Sequence, residues 1–432
     1  MDRLSGIADG LAGLAETGAQ HAPARAPSAY WRRCPYCIEY IDLLRCDVVS
    51  AVRHGAHAAS QSAFDNLEPS GPRPDPDGWA DGSEMVRRDG YEVFFDADQA
   101  QRGHTPRSLA GDLFGHAPAS AGERLFPLAN IDPRKIPRRL CERCRHVLPA
   151  ELDERDTLIL AVVGVTGAGK THYLAQALTE GAKRGSLHRF GCTEFAPTDT
   201  DDTARMLHEK YYTRVVRRRE LFEATNPAEA PRQFTFTVTV DNRRFLLVTH
   251  DIAGESLTDP YQRAQNLVFL RRADAMIFLL DPTEFDAVRP RLPAQLIEQD
   301  KPADQVHLLR QCLRELDQTS ADEIPVRVVV AKSDLLTSYC QIRGPWLHPP
   351  ARDWREDIGR ISDEVQGMLG YLNETEVVRL AAERQRTLFH AVSSLGAPPQ
   401  QDHRLAQAEP IRCSDPLGAA LRGMIHRPMV TS

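Results

Sequence analysis

Gly164-Val165-Thr166-Gly167-Ala168-Gly169-Lys170-Thr171 fits the pattern G-x-x-x-x-G-K-[ST]. It follows the apolar run 158–163, and the pattern after it predicts a helix over 171–182. Strand, loop and helix in that order are the context a phosphate-binding loop requires. Glycines let the backbone curl so that successive N–H groups point inward at phosphate oxygens. The helix that follows adds its positive N-terminal end. Lys170 would reach the β- and γ-phosphates and Thr171 would hold Mg²⁺. The plain alternative is a glycine-rich turn; four constrained positions placed directly after a strand argue against it.

Around this loop the chain divides by composition. Its 432 residues suit two or three domains, and 42% hydrophobic content is enough for a sizeable core. A net charge of −7 argues against a dedicated nucleic-acid-binding protein. No apolar run approaches the roughly 20 residues of a membrane helix. Residues 1–30 lack the apolar core of a secretory signal and become rich in Ala and Pro after Thr17, which predicts a tail. Between 31 and 150 turn residues dominate, and in 68–78 Pro69, Pro72, Pro74 and Pro76 rule out regular structure. From 156 to about 425 short apolar strands (158–163, 233–240, 244–250, 274–280, 324–330, 387–392) alternate with amphipathic helices (171–182, 200–223, 261–272, 303–318, 353–370, 375–385). That alternation predicts an α/β fold with a mostly parallel sheet and helices on both faces. Residues 426–432 read as a second tail. The runs 233–240 and 244–250 are joined by Asp241-Asn242-Arg243, a hairpin that places one antiparallel strand in the sheet. Phe234, Phe236, Val238 and Val240 alternate with Thr235, Thr237 and Thr239, which predicts a half-exposed strand.

Three further strand ends carry polar groups suited to a nucleotide. The second hairpin strand ends in His250-Asp251-Ile252-Ala253-Gly254-Glu255, about 80 residues after the loop. Asp251 is a candidate for the Mg²⁺ shell, and the Gly254 N–H is placed to sense a γ-phosphate. The run Val328-Val329-Val330 leads into Ala331-Lys332-Ser333-Asp334. The Asp334 carboxylate can accept two hydrogen bonds from the guanine N1–H and N2–H₂ edge, which adenine cannot offer. The Lys332 stem can lie across the base. The alternative is that Ser333 or Asp334 merely caps the next turn. Last, Leu388-Phe389-His390-Ala391-Val392 leads into Ser393-Ser394-Leu395, whose backbone N–H groups can bind guanine O6.

Nine cysteines include two C-x-x-C pairs, Cys34/Cys37 and Cys141/Cys144. Two residues between ligands let both sulfurs face one metal, and four thiolates bind Zn²⁺ tetrahedrally. A redox dithiol is the alternative. About 100 residues separate the pairs, against the usual roughly 15–20, which predicts a four-cysteine, zinc-ribbon-like unit with an insertion at about 46–135. Cys46, Cys192, Cys312, Cys340 and Cys413 lack metal spacing and read as buried small residues. Such cysteine usage suits a reducing cytoplasm.

In order and spacing, 164–171, 251–254, 331–334 and 393–395 resemble the loops of TRAFAC-class P-loop GTPases, the group that includes Ras-like and translation-factor GTPases. The resemblance implies GTP/GDP and Mg²⁺ as ligands. Three positions depart from it: Ala331 replaces an Asn or Thr that supports the phosphate loop, Glu255 replaces a water-orienting Gln, and Ser394-Leu395 replaces Ala-Lys. These departures imply slow hydrolysis, with Lys170, Glu255 and a switch threonine as the catalytic set. Thr225 is the first candidate for that threonine, with Thr193, Thr198 and Thr200 as rivals. Arg214, Arg217, Arg218 and Arg219 on the helix 200–223 form either a solvated face or a source of an arginine finger. A zinc ribbon leading into such a domain resembles the bacterial double-GTPase-type proteins of conflict and immunity systems. That implies a nucleotide-dependent switch acting on protein effectors. A P-loop ATPase or kinase, and a non-catalytic zinc-organised scaffold, are the alternatives.

Overall fold

Each predicted apolar run becomes a strand in a computed structural model that describes residues 31–43, 46–53, 86–88, 91–94, 136–144, 146, 148–182, 185–198, 232–251, 269–297, 304–317, 324–399 and 409–425. At the N-terminal side, β1 (Trp31–Arg33) and β2 (Tyr40–Asp42) pair antiparallel. A four-stranded antiparallel sheet follows, built from β3 (Asp47–Arg53), β4 (Val86–Arg88), β5 (Tyr91–Phe94) and β6 (Ile136–Leu140) in the order β4-β5-β3-β6. The proline-rich segment 68–78 lies outside the described residues.

The main sheet and its helices occupy the rest of the chain. In order they are β7 (Asp156–Gly164), α1 (Lys170–Ala182), β8 (Cys192–Pro197), β9 (Arg232–Val240), β10 (Arg243–Asp251), β11 (Ala275–Leu280), α2 (Gln305–Asp317), β12 (Val326–Val330), α3 (Ser333–Cys340), α4 (Trp354–Tyr371), α5 (Thr375–Ala382), β13 (Thr387–Ala391) and α6 (Ser414–Ile425). The strand order is β13-β12-β11-β7-β10-β9-β8. From β13 to β10 all neighbours are parallel, so five strands end at one edge of the sheet. Residues 159–163 of β7 are successively buried, as are all residues of β11 and β12. Since successive side chains point to opposite faces, both faces are covered. α1 packs with α6, and α2 with α5, while α4 lies along the edge strand β13. α6 lies close in, because a Cβ on Gly418 would meet the Phe190 ring at 2.2 Å.

The hairpin forms as its sequence predicts. Asp241 and Asn242 have φ of 47° and 63°, the two left-handed residues of a tight hairpin turn that Asp and Asn tolerate best. The half-exposed strand is a different matter, since Thr235, Thr237 and Thr239 are buried along with the Phe/Val face. Here β8 extends the sheet beyond β9, making β9 an interior strand. The Thr237 hydroxyl donates to Ala196 O at 3.1 Å, and that of Thr239 to Glu194 at 2.5 Å. The strand β8 and the helices α3 and α6 are additions to the sequence-predicted elements. The predicted helix 200–223 lies outside the described residues, as does most of 261–272, of which 269–271 is helical.

The N-terminal hairpin docks against the beginnings of β7 and β11. Arg33 forms an ion pair with Asp274 at 2.6 Å and donates to Thr157 O and Arg272 O. The Thr157 hydroxyl returns a bond to Arg33 O at 2.7 Å. Asp274 also accepts the Ile159 N–H at 2.8 Å, so its buried carboxylate has partners on two sides. Leu246 of β10 is buried among Ile41, Leu43, Leu148 and Leu152 of the N-terminal unit. Among the described residues no helix is long and apolar enough to cross a membrane.

Gly164, the last residue of β7, has no room for a side chain: a Cβ would stand 2.7 Å from Leu279 O and 3.1 Å from Leu279 Cβ. Gly164→Ala must therefore spread β7 from β11. The expected cost is about 1–3 kcal/mol, read as a lowered urea midpoint with unchanged slope.

Candidate functional site

The loop 164–170 leaves β7 between two parallel neighbours and enters α1 without a break. Gly167 and Gly169 have φ of 78° and 80°, a region open to glycine and strained for other residues. Ala168 N–H closes a turn on Val165 O at 3.2 Å, and Tyr173 N–H starts the helix on Gly169 O at 2.8 Å. Lys170 is buried, and its ammonium donates to Gly164 O at 2.9 Å and Val165 O at 2.8 Å. The cation thus lies inside the curl of Gly164, Val165, Thr166, Gly167, Ala168 and Gly169. Thr171 follows it, half-buried, at the start of α1.

Asp251 ends β10, in register with Val162 of β7 and so at the same sheet edge as the loop. Gly254, Glu255, Thr225 and Thr200 lie outside the described residues. Two rival switch threonines are described. Thr193 stands near the start of β8, a strand running parallel to β7, and is therefore at the edge away from the loop. Thr198 is at the loop's edge but buried, with its N–H bonded to Thr235 O.

The convergence of the other polar groups follows from the parallel strands. Lys332 leaves β12 with φ of 49°, and Asp334 sits in the first turn of α3. Neither Ser333 nor Asp334 caps that helix; Lys332 holds the cap position and makes no side-chain cap bond. Instead Asp334 accepts the Ser393 hydroxyl at 2.5 Å, and Ser393 Oγ accepts Gly396 N–H at 2.7 Å. Burial pushes the Asp334 carboxyl upward, opposed by the Ser393 hydrogen bond and by the Lys332 charge. The N–H groups of Ser394 and Leu395 have no acceptor among the described residues. Ala331 is buried, its N–H bonded to Leu280 O.

Asp281, which the sequence reading passes over, completes the row. It follows β11, is buried, and pairs with the Lys332 ammonium at 2.7 Å. Its other oxygen accepts the N–H and hydroxyl of Thr283 at 2.9 and 2.8 Å. Asp-Pro-Thr at 281–283 is a helix-cap signature directly after an apolar run, and is the signal that was available. Tying down the ammonium fixes the Lys332 stem. Burial and the Lys332 charge together push His172, the residue after Thr171, down to about 4.

Cys34, Cys37, Cys141 and Cys144 bring their Sγ atoms within 4.8 Å of one another. Cys34–Cys144 is 3.7 Å and Cys37–Cys141 is 3.8 Å. Sulfurs about 2.3 Å from a tetrahedral Zn²⁺ are about 3.8 Å apart, so the donor set fits that metal. Tyr36 N–H points at Cys34 Sγ, and Arg143 and Cys144 N–H at Cys141 Sγ, at 3.4–3.5 Å. Such donors stabilise thiolate charge. Ile38, just past the first pair, has φ of 62°, a strained conformation for a branched residue. Its side chain is buried in the core of the main sheet. All nine cysteines are free of disulfides. Burial pushes Cys46 and Cys312 up to about 12 and Cys192 to about 11, and raises Cys340 and Cys413, so all five stay protonated thiols.

A mostly parallel sheet with a glycine-rich loop between its central strand and the next helix defines a P-loop nucleoside triphosphate-binding fold. The chain belongs to the Double-GTPase 2 family, whose model matches residues 158–395, just over half of its length. It is also 24% identical over 310 residues to the "Putative ESX-1 scaffolding and assembly protein SaeC" of Mycolicibacterium smegmatis (strain ATCC 700084 / mc(2)155). That match covers 64% of this chain and 78% of the relative.

The sulfur geometry predicts about one zinc ion per chain by elemental analysis of protein purified without chelators. Cys141→Ser removes the ligand whose sulfur takes two backbone N–H bonds. It should abolish stoichiometric zinc and lower the thermal midpoint; unchanged metal content would exclude this assignment.

Proposed function

We propose that this chain is a GTP-binding switch with slow Mg²⁺-dependent hydrolysis and a structural zinc site. One observation carries the reading: neighbouring parallel strands deliver the candidate groups to a single edge of the sheet. Ser393 comes after β13, Lys332 and Asp334 after β12, Asp281 after β11, the 164–171 loop after β7, and Asp251 ends β10. Ligands of such sheets bind at the carboxyl ends of the strands. β12 and β10 are three strand spacings apart, about 14 Å, which suits a base at one end and a phosphate–metal site at the other.

In this reading Asp334 accepts from guanine N1–H and N2–H₂, and the N–H groups of Ser394 and Leu395 face O6. The Lys332 stem covers the base. Lys170 and the loop N–H groups would hold the phosphates, while Thr171 and Asp251 would hold Mg²⁺, which when bound would offset phosphate charge. Gly254 and Thr225 would respond to the γ-phosphate, and Glu255 would face the attacking water. A carboxylate accepts hydrogen bonds from water but lacks the amide donor, so turnover is slow and the triphosphate state long-lived. The output is control of protein effectors in the cytoplasm, in a bacterial conflict or defence system as the resemblance implies. The description of the Mycolicibacterium smegmatis relative favours a second output, the assembly or scaffolding of other proteins.

Titration with GTP and ATP in the presence of Mg²⁺ tests the reading. Asp334→Asn should weaken GTP at least about 100-fold, because a site built to pair a polar edge rejects its loss strongly, while ATP changes little. Equal or tighter ATP binding by the wild type would establish the ATPase or kinase alternative instead. Lys170→Ala should weaken both nucleotides together; a wild type that binds neither, with partner assembly intact in Lys170→Ala, would leave the scaffold alone.

A further inference from the structure

The base-recognition loop 393–396 is held from behind by a segment that sequence reading leaves unassigned. Ser393 and Ile411 exchange both backbone hydrogen bonds, at 3.1 and 2.7 Å, as an isolated antiparallel bridge. Glu409 N–H bonds to Leu395 O at 3.1 Å, and Cys413 Sγ donates to Ser393 O at 3.3 Å. Gly396 has φ of 81°, and a Cβ there would lie 2.1 Å from Glu409 O. Residues 409–413 therefore lie flush against the loop and take up its inward backbone groups.

The clasp is itself anchored in a buried ionic cluster. Arg412 has φ of 51° and a side chain only 3% exposed. One of its terminal nitrogens donates to Asp357 at 2.8 Å and Asp415 at 2.9 Å. Its other nitrogens reach Trp346 O and His348 O at 2.8–3.2 Å. Arg189 bridges the same two carboxylates, at 2.8 and 2.5 Å. Burial opposes ionisation of Asp357, but hydrogen bonds from Arg412 and Arg189 outweigh it and hold the carboxyl down at about 2. A planar guanidinium fork meeting fixed carbonyls and carboxylates leaves residue 412 one orientation, and with it the neighbouring Ile411.

We propose that Arg412 is a positioning residue for base selectivity: by locking the 409–413 clasp onto the loop it fixes Ser393 Oγ on Asp334 and so aims that carboxylate at the base edge. This rests on the guanine reading above. Arg412 reaches Asp334 only through the clasp and Ser393, so its loss should move selectivity rather than phosphate binding. Ser394-Leu395 suffices because the loop takes its shape from the clasp as well as from its own sequence.

Two variants test it. Arg412→Lys keeps the charge and loses the fork. Ile411→Pro removes the N–H that pairs with Ser393 O and leaves the buried ions untouched. Thermal unfolding first establishes that each is folded; if Arg412→Lys is not, Ile411→Pro decides alone. GTP and ATP are then titrated with Mg²⁺. The ratio of GTP to ATP affinity should fall at least about ten-fold in each variant, with ATP affinity within about three-fold of wild type. Unchanged ratios, or parallel loss of both nucleotides, would overturn the proposal while leaving a GTP-selective wild type intact. A wild type without GTP preference would remove the guanine reading, and the clasp's role with it.

Discussion

The missing side chain at Gly164 governs where everything else in this fold stands. β7 is hydrogen-bonded on both edges and covered on both faces, so the chain can leave it only along the strand axis. At that exit Leu279 O stands too close to leave room for a Cβ. The backbone must therefore emerge bare and in contact with β11, then turn through two residues of positive φ before α1 begins. This tight turn closes around the Lys170 ammonium, which takes up Gly164 O and Val165 O. A buried cation would be costly without such partners. Loop shape and lysine position are one solution to a packing problem, set before any ligand enters.

Charges along this edge are handled in the same way. Asp281 is neutralised by Lys332, Asp334 is satisfied by Ser393, and Arg189, Asp357, Arg412 and Asp415 alternate in sign around one cluster. Buried ion pairs add little net stability, because desolvation offsets most of the attraction. Breaking one partner is nevertheless severe, since the other is left buried and unpaired. Such pairs therefore act chiefly by fixing geometry. The pair at Lys332 ties β12 to the end of β11, and the cluster at Arg412 ties α4, α6 and the turn at Arg189 to the loop behind the base site.

What could be read from sequence was what is local. The phosphate-loop pattern, the Asp241-Asn242 turn and the paired cysteines each need only a few adjacent residues, and each appears where its chemistry requires. The missed features depend on partners distant in sequence. Cys192–Pro197 reads Cys-Thr-Glu-Phe-Ala-Pro, with two adjacent polar residues and a terminal proline, a weak strand signal, and it becomes a strand by pairing with β9. The threonine face that alternation alone marks as exposed is the one that carries Leu246, in register with Thr237 and packed against the N-terminal unit, while Thr237 and Thr239 bond to β8. The Ser393–Ile411 bridge, the Arg412 cluster and the Arg33–Asp274 pair span 18 to 241 residues and leave no periodic trace. Asp281 was visible as a cap signature, but its pairing with Lys332 was not.

The cysteine cluster sits at the other end of the same strands, and this restricts what it can do. Arg33 and Thr157 join the first cysteine pair to the start of β7, seven residues before Gly164, which is more than about 20 Å along an extended strand. No sulfur is within reach of a phosphate bound at the loop, so a metal there cannot take part in phosphate chemistry. Its mechanical connection is nevertheless specific. Arg272 donates to Ile38 O, pairs with Glu39 and accepts from Arg33 through its carbonyl, so the first cysteine turn grips the residues that lead into β11. Asp274, gripped by Arg33, also binds the Ile159 N–H of β7. The unit thus fixes the register of β7 against β11, and the close Gly164–Leu279 contact at their far ends depends on that register.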